Sequence, residues 1–453
     1  MDISSDEADD WFMESLNTYK DLHVFHLEHP TKVIEWTGDK SICVAGCTSS
    51  RSEILELLLP LKLYAGDNQG LCAERDFKVQ HGGFSEEPVE CLIHIPGTRC
   101  VVTSGSSSST LHIWDIGGDE SDVIKRTGVI NPKSTSAKCS KIAPGLTEEA
   151  TVLHGSCIND VQLTQIATGR VLYTVGKESS DSVSGLQFVN ACVFLICASN
   201  GSLLMGDTRD PLTSHYPLKE TLKETSGGLH WCFGMRRDRF QSEPSFCTIA
   251  RLASSGHMVL SDLRDLQSPF CQTRLNVKHS APNNDFLNVS WAPVLDSCLS
   301  VSGKLSSFPV FSYIKIVHPK NKNTIVINIV DPNPHDFLLW DSKGDVKQNE
   351  MFYSLSLYRN ICFHFNDLTN FSFKGFDGTV QLYNTTNWST EAQDPQPIFS
   401  HQGHEMLYEA KYSSSQPVVT THAWHQSRPN TLLSAATDGS IHVWDWVDKN
   451  TDR

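Results

Sequence analysis

The chain runs to 453 residues, 39% of them apolar and 20% charged, a composition that suits a globular fold, and no uninterrupted apolar run is long enough to span a bilayer. Its 52 acidic and 37 basic residues leave a formal charge of -15, which argues against sequence-independent capture of a phosphate backbone, and no Lys/Arg-rich run offers a local substitute. The 14 cysteines lie mostly inside apolar runs such as Ile42 to Cys47 and Cys192 to Cys197, contain no Cys-x-x-Cys pair, and read as reduced core thiols rather than zinc ligands.

The first ten residues, Met1 to Asp10, are acidic and lack the basic region and apolar core of a secretory signal, which places the chain in the cytosol or nucleus. From Asp9 to Tyr19 the pattern sets Trp11, Phe12, Leu16 and Tyr19 near one side of a short helix, whose acidic start suits its positive end. That face either caps the chain's own fold or receives a partner. Leu22 to Leu27 then alternates as a strand does. Glu74 to Ser85 is dense in charge and aromatic character beside a Gly-Gly turn, and offers Arg75, Phe77, Lys78 and Phe84 as partner contacts if it is not simply a strand and its loop.

A repeated unit follows: apolar strand, small-residue turn, apolar strand, aspartate. It occurs at Cys100 to Asp115, Val193 to Asp207 and Thr248 to Asp262, and most clearly at Thr431 to Asp445, where an Asp-Gly turn joins the strands. Spacing between most units is near that of a four-stranded blade. Two units close on Trp-Asp, Trp114-Asp115 and Trp444-Asp445, while Gly206-Asp207 and Ser261-Asp262 close the others.

On these residues the chain resembles the WD40-repeat β-propeller family. The resemblance implies a hydrogen-bonded tetrad in the last blade, made by His404, Ser434, Asp438 and Trp444, although the stretch from Glu405 to Gln416 lengthens the usual spacing after His404. The fold expected is all-β: a single seven-bladed propeller with a short N-terminal helix and a long irregular insert in blade six. Blades are expected to begin near Thr31, Lys78, Ser121, Arg170, Leu229, Phe270 and Ile398, with Leu22 to Leu27 completing the last blade so that no strand edge stays open.

The insert is visible because one hairpin is cut in two. Cys298 to Gly303 starts as a strand, Gly303 to Lys374 loses the repeat frame, and Gly375 to Tyr383 supplies the missing Asp-Gly turn and return strand. A loop at a hairpin tip is physically tolerable, since closure entropy grows slowly with length. Gly303-Lys304 and Phe371 to Gly375 are also what splice donor and acceptor sequences encode, so the segment reads as translated intron, loosely packed and without a function of its own. The expected organisation is an N-terminal segment at 1–21, propeller at 22–302, insert at 303–374, and propeller again at 375–453.

No catalytic constellation, cofactor motif or metal set emerges. Gly155-Ser156 and Ser104-Gly105 lack the nucleophile elbow, and Gly176-Lys177 lacks the phosphate-loop glycine. His422 and His425 flank Trp424 and read as polar neighbours of a buried indole rather than as metal ligands. Arg236, Arg237, Arg239 and Phe240 make a mixed-charge loop, short of a single-stranded RNA platform.

A closer likeness, to one branch of the WD40 family, is carried by Asp10-Trp11, Ile34 to Trp36, Glu74 to Lys78, His81 to Ser85, Gly375 to Gln381 and His442 to Val447. It covers the chain outside the insert and is looser from about 120 to 280. What it implies is a non-enzymatic scaffold that binds the catalytic and pseudo-catalytic nuclease subunits of the Integrator RNA-cleavage module in the cytoplasm, with spindle and microtubule roles in dividing and neural cells. An acidic propeller suits a basic nuclease channel and suits acidic tubulin poorly, so microtubule association is expected to be indirect. The alternative, a small-ligand or hydrolytic propeller, would show acid, His and Ser side chains clustered at one mouth of the central channel.

Overall fold

The computed structural model describes residues 5–447 except 47–51, 61–75, 107, 119–120, 133–138, 177–178, 218–229, 237–246, 255, 276–286, 294–296, 304–312, 318–323, 329–337, 341–378, 387, 389–394, 408–416 and 429. One helix, α1 (Ser5–Thr18), leads directly into β1 (Tyr19–His26). Blade 1 is β2 (Thr31–Trp36), β3 (Ser41–Gly46), β4 (Ser52–Leu58) and β5 (Lys78–Ser85). Blade 2 is β6 (Val89–His94), β7 (Cys100–Gly105), β8 (Leu111–Asp115) and β9 (Lys125–Ile130). Blade 3 is β10 (Lys141–Pro144), β11 (Thr151–Gly155), β12 (Gln162–Gln165) and β13 (Val171–Thr174).

Blade 4 is β14 (Val183–Phe188), β15 (Val193–Ala198), β16 (Leu203–Asp207) and β17 (Asp210–Tyr216). Blade 5 is β18 (Trp231–Met235), β19 (Thr248–Ala253), β20 (His257–Asp262) and β21 (Cys271–Arg274). Blade 6 joins β22 (Leu287–Trp291) and β23 (Cys298–Gly303) to two later strands. Between them comes a separate antiparallel sheet of β24 (Tyr313–Val317), β25 (Thr324–Asn328) and β26 (Leu338–Trp340), and blade 6 resumes with β27 (Val380–Asn384) and β28 (Phe399–His401). A short α2 (Gly403–Met406) precedes β29 (Val419–Trp424), β30 (Thr431–Ala436) and β31 (Ser440–Trp446), which form blade 7 with β1.

The architecture is a seven-bladed β-propeller. Its burial follows from blade stacking: the second strands β3, β7, β15 and β19 are buried over their last five residues and β30 throughout, because neighbouring blades cover both faces. Outermost strands β5 and β9 keep exposed positions on their free side. Each of the seven seams between blades holds its own cluster of buried apolar residues, including the closing seam, where Leu433, Ile441 and Val443 of blade 7 meet Ile42, Val44 and Leu57 of blade 1. Among the described residues no helix is long and apolar enough to cross a membrane.

The ring closes as the alternation of Leu22 to Leu27 suggests. β1 runs antiparallel to β31 with Leu22 opposite Trp444 and Val24 opposite His442, and Leu27 N–H donates to Gly439 O at 2.8 Å. The blade starts need correction. Lys78, Ser121, Arg170, Phe270 and Ile398 lie at or just before the outermost strand of the preceding blade, because the sequence unit begins one strand earlier than the sheet does.

In blade 6, β23 pairs with β27 directly, Ser302 opposite Val380 and Cys298 opposite Asn384, so the hairpin is completed across the irregular segment. Among the described residues, the three strands β24 to β26 pair with one another and with no blade strand. The looseness expected of 303–374 falls mostly on residues outside the described ones. Excising Gly303 to Lys374 is expected to leave the melting temperature within about 3 °C of the full chain, because the loop is closed by strands that survive its removal. Deleting residues 1–27 uncovers the β31 edge and is expected to lower it by more than about 10 °C or abolish soluble folding. Thermal melts of both shortened chains check the pair.

Candidate functional site

Blade 7 carries the densest polar network. Asp438 accepts from the Ser440 N–H at 3.0 Å and from the Ser440 hydroxyl at 2.7 Å, and a carboxylate only accepts, so the Ser440 oxygen is left to accept from His404 Nδ1–H at 2.8 Å. The other ring nitrogen, Nε2, therefore holds a lone pair and takes the Ser434 hydroxyl at 2.8 Å, while Ser434 accepts from Trp444 Nε1–H at 3.2 Å. The chain Trp444, Ser434, His404, Ser440, Asp438 thus has one direction throughout. Of the expected tetrad, Ser434, His404 and Trp444 meet directly and Asp438 is reached through Ser440.

Two further histidines join it. His401 stacks on the Trp444 indole with ring centroids 4.5 Å apart, and His442 stacks on His404 at 3.7 Å. The Tyr19 hydroxyl receives the Gln402 N–H and sits 3.0 Å from His401 Nδ1, and His401 Nε2 lies 3.1 Å from His442 Nδ1. All three histidines are buried, and one ring nitrogen from each lies within 4.8 Å of the others, the spacing a cation could bridge. Both ring nitrogens of His404 are already committed, Nδ1–H to Ser440 and the Nε2 lone pair to Ser434, so a cation would have to break that chain to use it. Sequence reasoning found His404 alone; the spacing of His401 and His404 was a signal for the rest.

Burial holds these imidazoles neutral. His401, His404 and His442 are pushed well below the ordinary histidine range, first by desolvation and then by one another's charge, and burial takes His154 to about 4 and His422 to about 3. His422 meets the Ser302 hydroxyl at 2.6 Å, whereas His425 packs on Trp36, so the pair flanking Trp424 point to different neighbours.

The residues singled out for partners separate by burial. Trp11 is buried, with its ring 6.2 Å from that of Tyr19, and Tyr19 is committed to His401; Phe77 is buried against Phe25. These three serve the chain's own packing. Phe12 and Leu16 stand 54% and 63% exposed, together with Met13, on the outer side of α1. Lys78 is exposed, and Phe84, 49% exposed, lines a surface hollow of about 260 Å³ with Glu86, His112 and Arg126. Arg75, and the Arg237, Arg239 and Phe240 part of the mixed-charge loop, lie outside the described residues.

The larger cavity, about 730 Å³, is lined by innermost-strand residues of several blades and by the turns that follow them, including Trp36, Pro96, Phe188, Phe233 and Trp291, with Glu35, His94 and Ser290 among them. Glu35 is pushed up to about 7 by burial and accepts from the His94 backbone N–H at 3.3 Å. The His94 ring turns away and bonds Thr98 O at 2.7 Å, so acid and imidazole share a wall without forming a catalytic pair.

Residues 396–445 match the family model described as WD domain, G-beta repeat. Over its whole length the chain is 65% identical to the Integrator complex assembly factor WDR73 of Danio rerio, covering all of both chains. It is 35% identical to the protein of that name from Homo sapiens, over 98% of each chain, and 34% identical to that from Xenopus laevis, over 96% of this chain and 97% of the other. This chain belongs to the WDR73 family.

Strand registers explain why the repeat model finds one blade. At the positions of Ser434 and Trp444, blade 2 has Thr103 and Trp114, and the Trp114 Nε1–H donates to Thr103 Oγ1 at 2.9 Å. The following aspartates differ, Asp115 being exposed and Asp445 buried. Blade 3 reverses the roles: His154 stands for serine and Thr164 for tryptophan, 2.9 Å apart. Blade 4 has Ile196 and Gly206, with the Phe194 ring so close that a Cβ on Gly206 would lie 2.3 Å from it. Blade 5 has Arg251 and Ser261, where Nη2 donates to Ser261 Oγ at 3.3 Å and Nη1 to Gly201 O at 3.1 Å. Blade 6 of this WDR73-family chain has Val301 and Tyr383, whose hydroxyl donates to Gln381 at 2.6 Å.

Two tests follow from this chemistry. Ser434→Ala strands both the Trp444 donor and the His404 acceptor and is expected to cost about 2–4 kcal/mol, against about 1–2 for Thr103→Ala, which strands one; denaturant melts measure the difference. The buried histidines are depressed in the folded state, so their stabilisation is complete above the unfolded pKa near 6.5 and is lost as pH falls below it, each by about 1.4 kcal/mol per pH unit until its folded pKa is reached. Glu35 runs the opposite way between about 4.5 and 7, one group against six histidines once His425, also buried and lowered to about 4, is counted. A melting temperature that drops steeply from pH 6.5 to pH 5 is the expected result.

Proposed function

We propose that this chain is a non-catalytic assembly factor for the Integrator complex, acting in the cytoplasm as a scaffold that holds the paired catalytic and pseudo-catalytic nuclease subunits. The observation that carries the reading is the 65% identity, over the full length of both chains, to a protein named for that assembly role. Physical features support it. A charge of -15 complements a basic nucleic-acid channel, and Phe12, Met13 and Leu16 offer an apolar strip on a helix that otherwise carries Asp9, Asp10 and Glu14. Association with microtubules and spindle poles is proposed to run through such partners, since tubulin surfaces share the chain's acidic sign.

The test is a pull-down from cytosol with the full chain and with a Phe12→Ser, Leu16→Ser double variant, each first checked for an unchanged melt. Stoichiometric recovery of the two nuclease subunits by the full chain, and loss of at least about tenfold in the variant, is expected from removing exposed anchors. Absence of both subunits from the full-chain eluate overturns the assembly role. Equal recovery by the variant moves the docking surface away from α1.

A further inference from the structure

The innermost strands of blades 2 and 3 bring two thiols and a lysine together. Cys91 on β6 and Cys139, two residues ahead of β10, have their sulfurs 4.0 Å apart, and the Lys141 ammonium lies 3.8 Å from Cys91 Sγ. Ser104 Oγ lies 3.4 Å from Cys139 Sγ and donates to Ser140 O at 2.7 Å, fixing the turn on which Cys139 sits. Glu90 is bonded by Lys32 and also acts on Lys141, but the Cys91 sulfur is the larger electrostatic partner of the Lys141 ammonium. Cys91 and Cys139 are half-buried residues, as are Cys100, Cys157, Cys192 and Cys232, while Cys43, Cys197, Cys247, Cys271 and Cys298 are buried.

We propose that Cys91 and Cys139 are a peroxide-reactive dithiol, with Cys91 the nucleophile and Cys139 the resolving thiol, whose disulfide staples blade 2 to blade 3. A thiolate reacts, not a thiol, and a cation in contact with one sulfur of a close pair selects which of them ionises. The hydrogen bond from Cys139 and the Lys141 charge lower the Cys91 thiol, while Cys139, facing that thiolate, is raised and keeps its proton. Elsewhere burial raises Cys43, Cys100, Cys197, Cys232 and Cys271.

The chemistry balances with a hydroperoxide as the oxidant. Cys91 S⁻ attacks one oxygen of hydrogen peroxide, the O–O bond breaks, and hydroxide leaves as water after taking a proton, giving a sulfenic acid. Cys139 then loses its proton to solvent, attacks the Cys91 sulfur and displaces the second oxygen as water. Two thiols lose two electrons, one peroxide gains them, and two waters form. The sulfurs must close by about 2 Å from their 4.0 Å separation to reach bonding distance.

The experiment treats the reduced full chain with one equivalent of hydrogen peroxide, caps remaining thiols with N-ethylmaleimide, and maps peptides by mass spectrometry. The expected product is a Cys91–Cys139 linked peptide pair about 2 Da below the sum of the reduced peptides, formed ahead of oxidation at any other cysteine. Cys139→Ser should leave a sulfenic acid at Cys91 that dimedone traps, and Lys141→Met should slow the bridge on the order of fivefold or more by raising the Cys91 thiol. Bridging to a different cysteine, no bridge at all, or an unchanged rate in a folded Lys141→Met chain overturns the proposal.

Discussion

Closure of the ring by β1 is the constraint on which the other seams depend. Each blade offers apolar residues on both faces, and those faces are buried only if every blade has a neighbour on each side. An open chain of blades would leave blade 1 and blade 7 each with a bare face. The register of β1 on β31, fixed by Leu22 opposite Trp444 and backed by Leu27 and Val447 backbone bonds at its two ends, removes those faces and the last strand edge together. The cost is that the first and last strands must meet from opposite ends of the sequence, a contact of high closure entropy that only the summed burial of the seams can offset.

Polar groups placed inside such a seam must be fully answered, and blade 7 shows how. Its three buried imidazoles are tolerable because they are neutral and hydrogen-bonded, with the His404 tautomer fixed by the chain from Asp438 to Trp444. The seam between blades 1 and 2 solves a harder case: Glu56, wholly buried, receives Arg99 through two bonds of 2.9 and 2.7 Å, with Thr37 at 2.7 Å and His81 Nδ1 at 2.6 Å. Among the described residues Arg251 in blade 5 has no carboxylate in hydrogen-bonding contact and is held by a carbonyl and a hydroxyl, with Nε unbonded and its pKa lowered, first by desolvation. One sheet position thus accepts serine, threonine, histidine, isoleucine, arginine or valine, provided the facing strand changes in step.

That compensation sets what was legible in the sequence. Blades 2 and 7 announce themselves because tryptophan and a hydroxyl residue make a bond with few substitutes. Blades 3 to 6 keep only apolar strands and a turn, since His154 with Thr164 or Phe194 over Gly206 does the same packing with unrelated letters. Pattern also told where blade 6 was interrupted, because a hairpin half without its partner is a local defect; it misplaced blade starts, because the outermost strand of one blade precedes the innermost of the next in an unbroken repeat. On α1, spacing put Trp11, Phe12, Leu16 and Tyr19 together, but it could not show that Trp11 turns inward while Phe12 and Leu16 turn out. The histidine cluster was half legible: the spacing of His401 and His404 signals a pair, but His401 and His442 lie on different blades, and only the fold makes them neighbours.

The position of α1 gives its exposed strip an added meaning. The helix ends at Thr18, whose carbonyl accepts from Val447 N–H at 2.9 Å, and the next residue, Tyr19, bonds His401 and so enters the network that contains Ser434 and Trp444. Any ligand that requires α1 in this place requires β1 on β31 as well, so its binding free energy adds to that of ring closure. By the same linkage, protonation of the blade 7 histidines, which opposes closure, would weaken such a ligand. If α1 docks the proposed partner, its continuity with the closing strand links that binding to completion of the ring, a physical basis for coupling the chain's own folding to the order in which a larger complex is put together.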